Sequence, residues 1–236
     1  MTGPEIRIDS LLEGAKRATG VVGIIDVFRA FTTGAVALAN GADRIVMVSG
    51  VEEALALRAR GLGQICMGEV DGRPPAGFDL GNSPFEASKI DFTGKTILQR
   101  TSAGTQGMTA AVLADRRFAV SFVTATATAR AMLAANPARI TLVAMGKNAL
   151  DRTDEDEICA LHIRNLLEGR PGDSAAARQM ILAAGEVFRF HDPARPWLYP
   201  EDVDIALDVD RFDFAIEVGL EDGRPVGRKA RASGPV

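Results

Sequence analysis

Short runs of consecutive apolar residues alternate along the chain with longer stretches whose apolar positions recur at helical spacing. VVGIIDV at 21–27 precedes AFTTGAVALANG, RIVMV at 44–48 precedes VEEALALRARG, and KTILQR at 95–100 precedes a stretch opening near Thr105. An unbroken apolar run suits a strand covered on both faces. The pattern therefore predicts an α/β fold, a largely parallel sheet covered by helices on both faces in three layers. Further strands are predicted at 64–68, 118–123, 139–145 and 212–218, and helices at 51–61, 125–135, 154–168, 173–185 and 201–208. Gly41, Gly61 and Gly169 each follow a helical stretch, where a left-handed residue ends the helix. Residues 1–236 read as a single α/β unit, or as two α/β halves with a boundary near 115–125. The segment 69–85 is rich in Gly and Pro yet carries acids at 69, 71 and 79, which marks a functional loop, whereas 222–236 is poor in apolar residues and reads as a mobile tail.

With 236 residues, 47% of them hydrophobic, the chain has the material for a sizeable core. Its 27 Lys+Arg against 31 Asp+Glu give a net charge of -4, without the positive field that nucleic-acid binding draws on. Two cysteines, Cys66 and Cys159, far apart in apolar surroundings, make neither a disulfide framework nor a zinc knuckle and fit a reducing, cytoplasmic compartment. No apolar run approaches the roughly 20 residues of a membrane span, and MTGPEIRIDS has no signal-peptide core. The expected partner is a small molecule, with no nucleic acid and no membrane.

In α/β sheets ligands bind beyond the carboxyl ends of the strands. Four segments occupy such places. Asp26 ends a strand and is followed by Arg29, Thr32 and Thr33 in the opening turns of a helix, a start that attracts anions while the acid could hold a divalent cation; helix capping by Asp26 explains it equally well. Glu69 ends another strand, ahead of a loop carrying Asp79, Asn82 and Ser83, of which Ser83-Pro84 is better read as N-cap and first helical residue. Arg100-Thr101-Ser102-Ala103-Gly104-Thr105 can form a backbone anion nest with an arginine beside it, and lacks the Gly-Lys-Ser/Thr of a Walker A loop. Gly146-Lys147 ends a fourth strand, and Asp154, Glu155, Asp156 and Glu157 open the next helix, where the helix dipole alone favours acids. Those acids should keep the Cys159 thiol protonated. Carboxylates beside cations and hydroxyls suit Mg²⁺-assisted chemistry on a phosphorylated small molecule.

At these residues the sequence resembles the 2-phosphosulfolactate phosphatase family. The likeness lies in Asp26-Val27-Phe28-Arg29-Ala30 with Thr32-Thr33; in Gly77-Phe78-Asp79-Leu80-Gly81-Asn82-Ser83-Pro84; in Arg100-Thr101-Ser102-Ala103-Gly104-Thr105; and in Glu155-Asp156-Glu157-Ile158-Cys159-Ala160, in that order across about residues 20–160. One departure is Ala103, where the resemblance implies Asn; it bears on the substrate more than on the reaction. The resemblance implies Mg²⁺-dependent hydrolysis of 2-phospho-3-sulfolactate to 3-sulfolactate and phosphate, a step of coenzyme M biosynthesis.

The expected assignments are Asp26, Arg29, Arg100 and Glu155 as catalytic residues, with Asp26, Glu69 and Asp79 converging on the metal. Thr32, Asn82, Ser83, Thr101, Ser102, Gly104, Thr105 and Lys147 are expected to bind substrate. A homodimer is compatible with these features. Two other functions fit the same residues: a phosphatase for another small phosphorylated acid, and a non-catalytic anion-binding or metabolite-binding protein.

Overall fold

The computed structural model describes residues 3–230. The chain forms β1 (Glu5–Ser10), α1 (Leu11–Arg17), β2 (Gly20–Ile25), α2 (Ala30–Ala39), β3 (Arg44–Met47), α3 (Val51–Ala59), β4 (Ile65–Gly68), α4 (Pro84–Ala87) and β5 (Thr96–Arg100). There follow α5 (Gly104–Ala110), β6 (Ala114–Val120), α6 (Ala125–Ala134), β7 (Arg139–Ala144), α7 (Asp154–Leu167), α8 (Ser174–Ala183), α9 (Pro200–Ala206), β8 (Ala215–Glu221) and β9 (Arg224–Ala230). The strand–helix alternation follows the apolar pattern. Gly41, Gly61 and Gly169 stand at φ 101°, 76° and 68°, as a helix-ending residue requires. Ser83 accepts the Glu86 N–H at 3.1 Å and Pro84 opens α4, the capping arrangement its sequence suggested.

The nine strands of the described residues join one sheet in the order β1-β7-β2-β6-β8-β9-β3-β5-β4. Five of its eight pairings are parallel and three, all involving β8 or β9, are antiparallel. Two parallel groups thus flank a central hairpin. They interleave in sequence, since β2 and β6 lie side by side, so a break near 115–125 does not separate them.

The segment after Glu221 departs from the sequence reading. Residues 224–230 form β9, which pairs with β8 and β3, while 231–236 lie outside the described residues. Asp222 and Gly223 both take positive φ, 48° and 76°, making the tight turn that an Asp-Gly pair supplies to a hairpin. Val226 then buries against α3 and β3, and the ladder satisfies a backbone that the polar side chains made look unstructured.

Alternate residues of each strand enter different clusters. Val22 and Ile24 of β2 join Ile45 and Met47 of β3 around Phe31, Ala35 and Leu38 of α2. Val21 and Ile25 face α6, α7 and α8, while Val46 faces Ala54 and Leu57 of α3.

Three antiparallel steps leave β3, β5 and β4 opposite in nominal direction to β2, which stands six strand spacings from β4. In a flat sheet their carboxyl ends would sit on opposite edges, with about 29 Å between the strands. Twist of about 20–25° per step accumulates over that distance to roughly 120–150° and turns the second group back toward the first. The close approach is direct: the Gly104 N–H, just past β5, donates to Asp26, just past β2, at 2.7 Å.

Ending the chain at Glu221 removes β9 and leaves β3 and β8 without their shared neighbour. We expect a protein that fails to give a cooperative thermal transition. Circular dichroism melts check this, and a melting temperature equal to that of the full chain would refute it.

Candidate active site

The carboxyl ends of β2, β4, β5 and β7 open onto a cavity of about 690 Å³. Three buried acids enter its wall, and two of them are held by backbone N–H groups. Asp26 accepts from Ala30 at 3.0 Å and from Gly104 at 2.7 Å. Glycine is needed at 104, because a Cβ there would stand 2.8 Å from the Asp26 Oδ2. Glu69 accepts the Ser102 N–H with one oxygen, and the Gly72 N–H at 2.6 Å and the Ser102 hydroxyl at 3.1 Å with the other. Glu155 is the third; its Oε2 is buried with no partner. Behind the wall, Asp156 accepts from Val27 and from Gly146, each at 2.8 Å, and so ties the end of β2 to the end of β7.

Crowding and burial act against ionisation here. Burial pushes Asp26 up to about 6, against the pull of its two N–H donors. Burial likewise pushes Glu155 up to about 7, and Asp156 is raised by burial and by the neighbouring Glu155 and Asp26. Facing the acids are Arg29, Arg73, Lys147, Arg189 and Arg195. The lining thus sets five cationic side chains against five acids, in a chain of net charge -4.

The expected residues divide sharply. Asp26, Glu69, Asn82, Ser102, Lys147 and Glu155 all reach the cavity wall, and Asn82 leaves its Oδ1 buried without a partner. Asp79 does not: its carboxylate takes Arg58 at 2.8 Å and the Cys66 N–H at 2.8 Å, away from Asp26 and Glu69. Among the described residues no three His, Cys, Asp or Glu side chains form a ready-made metal cage.

Arg100 is also corrected. Its guanidinium is turned to the Glu69 carbonyl at 2.7 Å, the Ser49 carbonyl and the Ser102 hydroxyl, outside the cavity lining. Arg29 reaches the wall but is committed: it pairs with buried Asp202 at 2.9 Å and donates to the Trp197 carbonyl at 3.0 Å. The Thr/Ser/Gly turn is a nest whose anions come from the protein itself, since the Ser102 and Gly104 N–H groups go to Glu69 and Asp26. Thr101 and Thr105 close on each other, the Thr101 N–H reaching the Thr105 hydroxyl at 2.8 Å. Thr32 donates to the Val27 carbonyl and Ser83 to Asp202, so both hold the scaffold.

Residues missed by sequence reasoning include Asp202, Arg189 and Trp197, all beyond the last motif, and Asp156, read only as one acid of a run. For Asp156 a signal existed. It lies three, four and seven residues before the apolar Cys159, Ala160 and Ile163, on the face of α7 that packs inward. Cys159 is buried, and burial followed by Asp156 raises its thiol well above the usual range, as expected from the acids around it.

The structure is that of an α/β protein whose strand-end cavity sets buried carboxylates against arginine and lysine. A sequence profile of the 2-phosphosulpholactate phosphatase family matches residues 7–196, and the chain belongs to that family. A probable 2-phosphosulfolactate phosphatase of Bacillus subtilis is 32% identical over 198 residues, covering 83% of this chain and 85% of that protein. A protein of the same description from Thermotoga petrophila is 35% identical over 156 residues, 66% of each chain, and one from Carboxydothermus hydrogenoformans is 43% identical over 113 residues, 48% of this chain and 47% of its own.

The raised carboxyls fix a pH dependence. Between the unfolded 3.8 and the folded value of about 6, folded Asp26 holds a proton that the unfolded chain has released, so its stabilisation is complete below the first value and is lost as pH rises through the second. For Asp26 alone this is on the order of 3 kcal/mol, and Glu155 extends the window to about 7. Freed of divalent ions with EDTA, the protein should therefore melt at progressively lower temperature as pH rises from about 4 to about 7. A flat or rising series of calorimetric melting temperatures would contradict this.

Proposed function

We propose that the protein hydrolyses 2-phospho-3-sulfolactate to 3-sulfolactate and phosphate with the help of Mg²⁺. The family membership supports the reaction, and one observation carries the reading to this chain: a single cavity holds Asp26, Glu69 and Glu155 opposite several cationic side chains. Such a wall suits a substrate bearing phosphate, carboxylate and sulfonate together.

The donor set fits a hard divalent cation. Crowded, buried carboxyls held up to about 6 and about 7 are what a cation would relieve. The absence of a three-acid cage among the described residues also suits Mg²⁺, which commonly takes one or two carboxylates together with waters and substrate phosphate. Asp26 and Glu69 would hold it. Bound there, it would supply Lewis-acid polarisation of the phosphoryl group. Glu155, with its free Oε2 and an affinity for protons near neutrality, accepts the proton of the attacking water. Lys147 and Arg73 hold the remaining anionic groups of the substrate.

Ala103 lines the cavity in place of the Asn that the resemblance implies, which favours a second reading, a phosphatase for another small phosphorylated acid. We also read the three clusters as a helix–sheet–helix layering, and place the reaction in the cytoplasm, in coenzyme M synthesis, without assigning a dimer. Among the described residues no helix is long and apolar enough to cross a membrane.

Phosphate release from 2-phospho-3-sulfolactate and from a phosphomonoester panel tests the reading. We expect release with Mg²⁺, its loss with EDTA, and a higher melting temperature on adding Mg²⁺ at pH 7.5. Release from no substrate would refute it, and release only from other members of the panel would select the second reading. Because the Cys159 thiol is buried and protonated, Cys159→Ala should keep most of the turnover; an inactive but folded variant would point to thiol chemistry instead.

A further inference from the structure

Arg189 lies outside all four motifs, in the 3-10 turn Gly185–His191 that follows α8. One side of its guanidinium is held: the group sits 5.2 Å from the Phe190 ring centre and Nη1 reaches Glu186 at 3.1 Å. The rest of the group is unfinished. Nη2 stops 4.0 Å from the Glu155 carboxylate, and Nε is buried with no partner. The Glu155 oxygen at that distance is Oε1, and its Oε2 is likewise buried without a partner.

The contrast with Arg29 shows what a completed buried pair looks like in this molecule. Arg29 closes on Asp202 at 2.9 Å and also satisfies the Trp197 carbonyl. A buried donor or acceptor left unmet is costly, so an oppositely charged pair that fails to close leaves a gap with a chemical demand. The missing group must offer acceptor oxygens to a guanidinium fork and stand beside a carboxylate that can take a proton. A phosphoryl group approached by water meets both conditions. Arg73 stacks 4.6 Å from the Trp197 ring centre and Arg195 pairs with Asp192 at 3.2 Å, but of these cavity arginines Arg189 is the one with a buried guanidinium atom left without a partner.

We infer that Arg189 is a catalytic residue whose guanidinium grips the non-bridging oxygens of the phosphoryl group as water attacks phosphorus. The inference rests on the phosphatase reading above. The water oxygen bonds to phosphorus, its proton passes to Glu155 Oε2, and the phosphorus–oxygen ester bond breaks. The departing alkoxide takes a proton from solvent, and charge growing on the non-bridging oxygens is met by Arg189. Turning the side chain toward the cavity gives Nε the acceptor it lacks, so no existing hydrogen bond is given up by that atom.

The test uses inorganic phosphate as the probe, titrated calorimetrically with Mg²⁺ present into the full chain and into Arg189→Ala and Arg189→Lys. Loss of a charge-assisted, two-point contact should weaken phosphate binding by about tenfold or more in Arg189→Ala. Lys should recover part of it, as a point charge without the fork. Turnover should fall by about a hundredfold or more, and added guanidinium should restore part of it in Arg189→Ala, a rescue that a purely structural role would not give. If Arg189→Ala does not fold, Arg189→Lys keeps stem and charge and carries the comparison. Phosphate affinity within twofold of wild type in a folded variant would overturn the inference, as would a wild-type protein that binds no phosphate. Arg189-dependent phosphate binding in a protein that hydrolyses nothing would sink the phosphatase reading and leave the grip standing. Wild-type hydrolysis unchanged by Arg189→Ala would do the reverse.

Discussion

Buried carboxylates that each accept hydrogen bonds from two distant stretches of chain hold this molecule's strand ends in place. Asp26 joins the starts of α2 and α5, Asp156 joins the exits of β2 and β7, and Glu69 joins its own loop to the turn after β5. Asp202 does the same further out, taking the Ser83 hydroxyl, the Phe85 N–H and Arg29. Strand-to-helix turns leave N–H groups that the ladder and the helix cannot satisfy, and buried ones demand an acceptor. A carboxylate meets two at once. The cost is visible in the raised protonation of Asp26 and Asp156, which bonding to N–H groups offsets only in part.

The same clamps explain why the site was half legible in the sequence. Asp26 and Glu69 announced themselves because each directly follows an apolar strand, and strand ends are where α/β proteins place their chemistry. Both line the cavity, while Asp79 and Arg100, expected beside them, do not. The Ser102 and Gly104 N–H groups do meet anions, the carboxylates of Glu69 and Asp26, but whether such groups meet a ligand or a side chain depends on sheet curvature, which no local pattern encodes. Arg100 fails for a related reason: its acceptors are the Ser49 and Glu69 carbonyls, and backbone groups leave no trace in a sequence.

The strands and long helices were legible because burial on both faces leaves continuous apolar runs, as at 21–25 and 139–144. β9 was not, because only its first half buries side chains, Pro225 and Val226, before Arg228 and Lys229 turn outward. The Asp222-Gly223 pair was its one local sign. Arg189 had none: it sits in a short irregular turn, and its place in the wall comes from the docking of that turn against α8 and α9.

The hairpin of β8 and β9 sits in the middle of the sheet, yet it is among the last parts of the described chain to be synthesised. Strands β1 to β7 leave the ribosome as two groups with no edge in common, and besides the outer edges β1 and β4 each presents a second unpaired edge, β6 or β3, until residues 215–230 arrive. The nascent chain therefore cannot assemble its cavity progressively from the amino end. Both groups must wait, open-edged and prone to pairing with a neighbouring chain, for a segment that zips them together only after all seven strands have emerged.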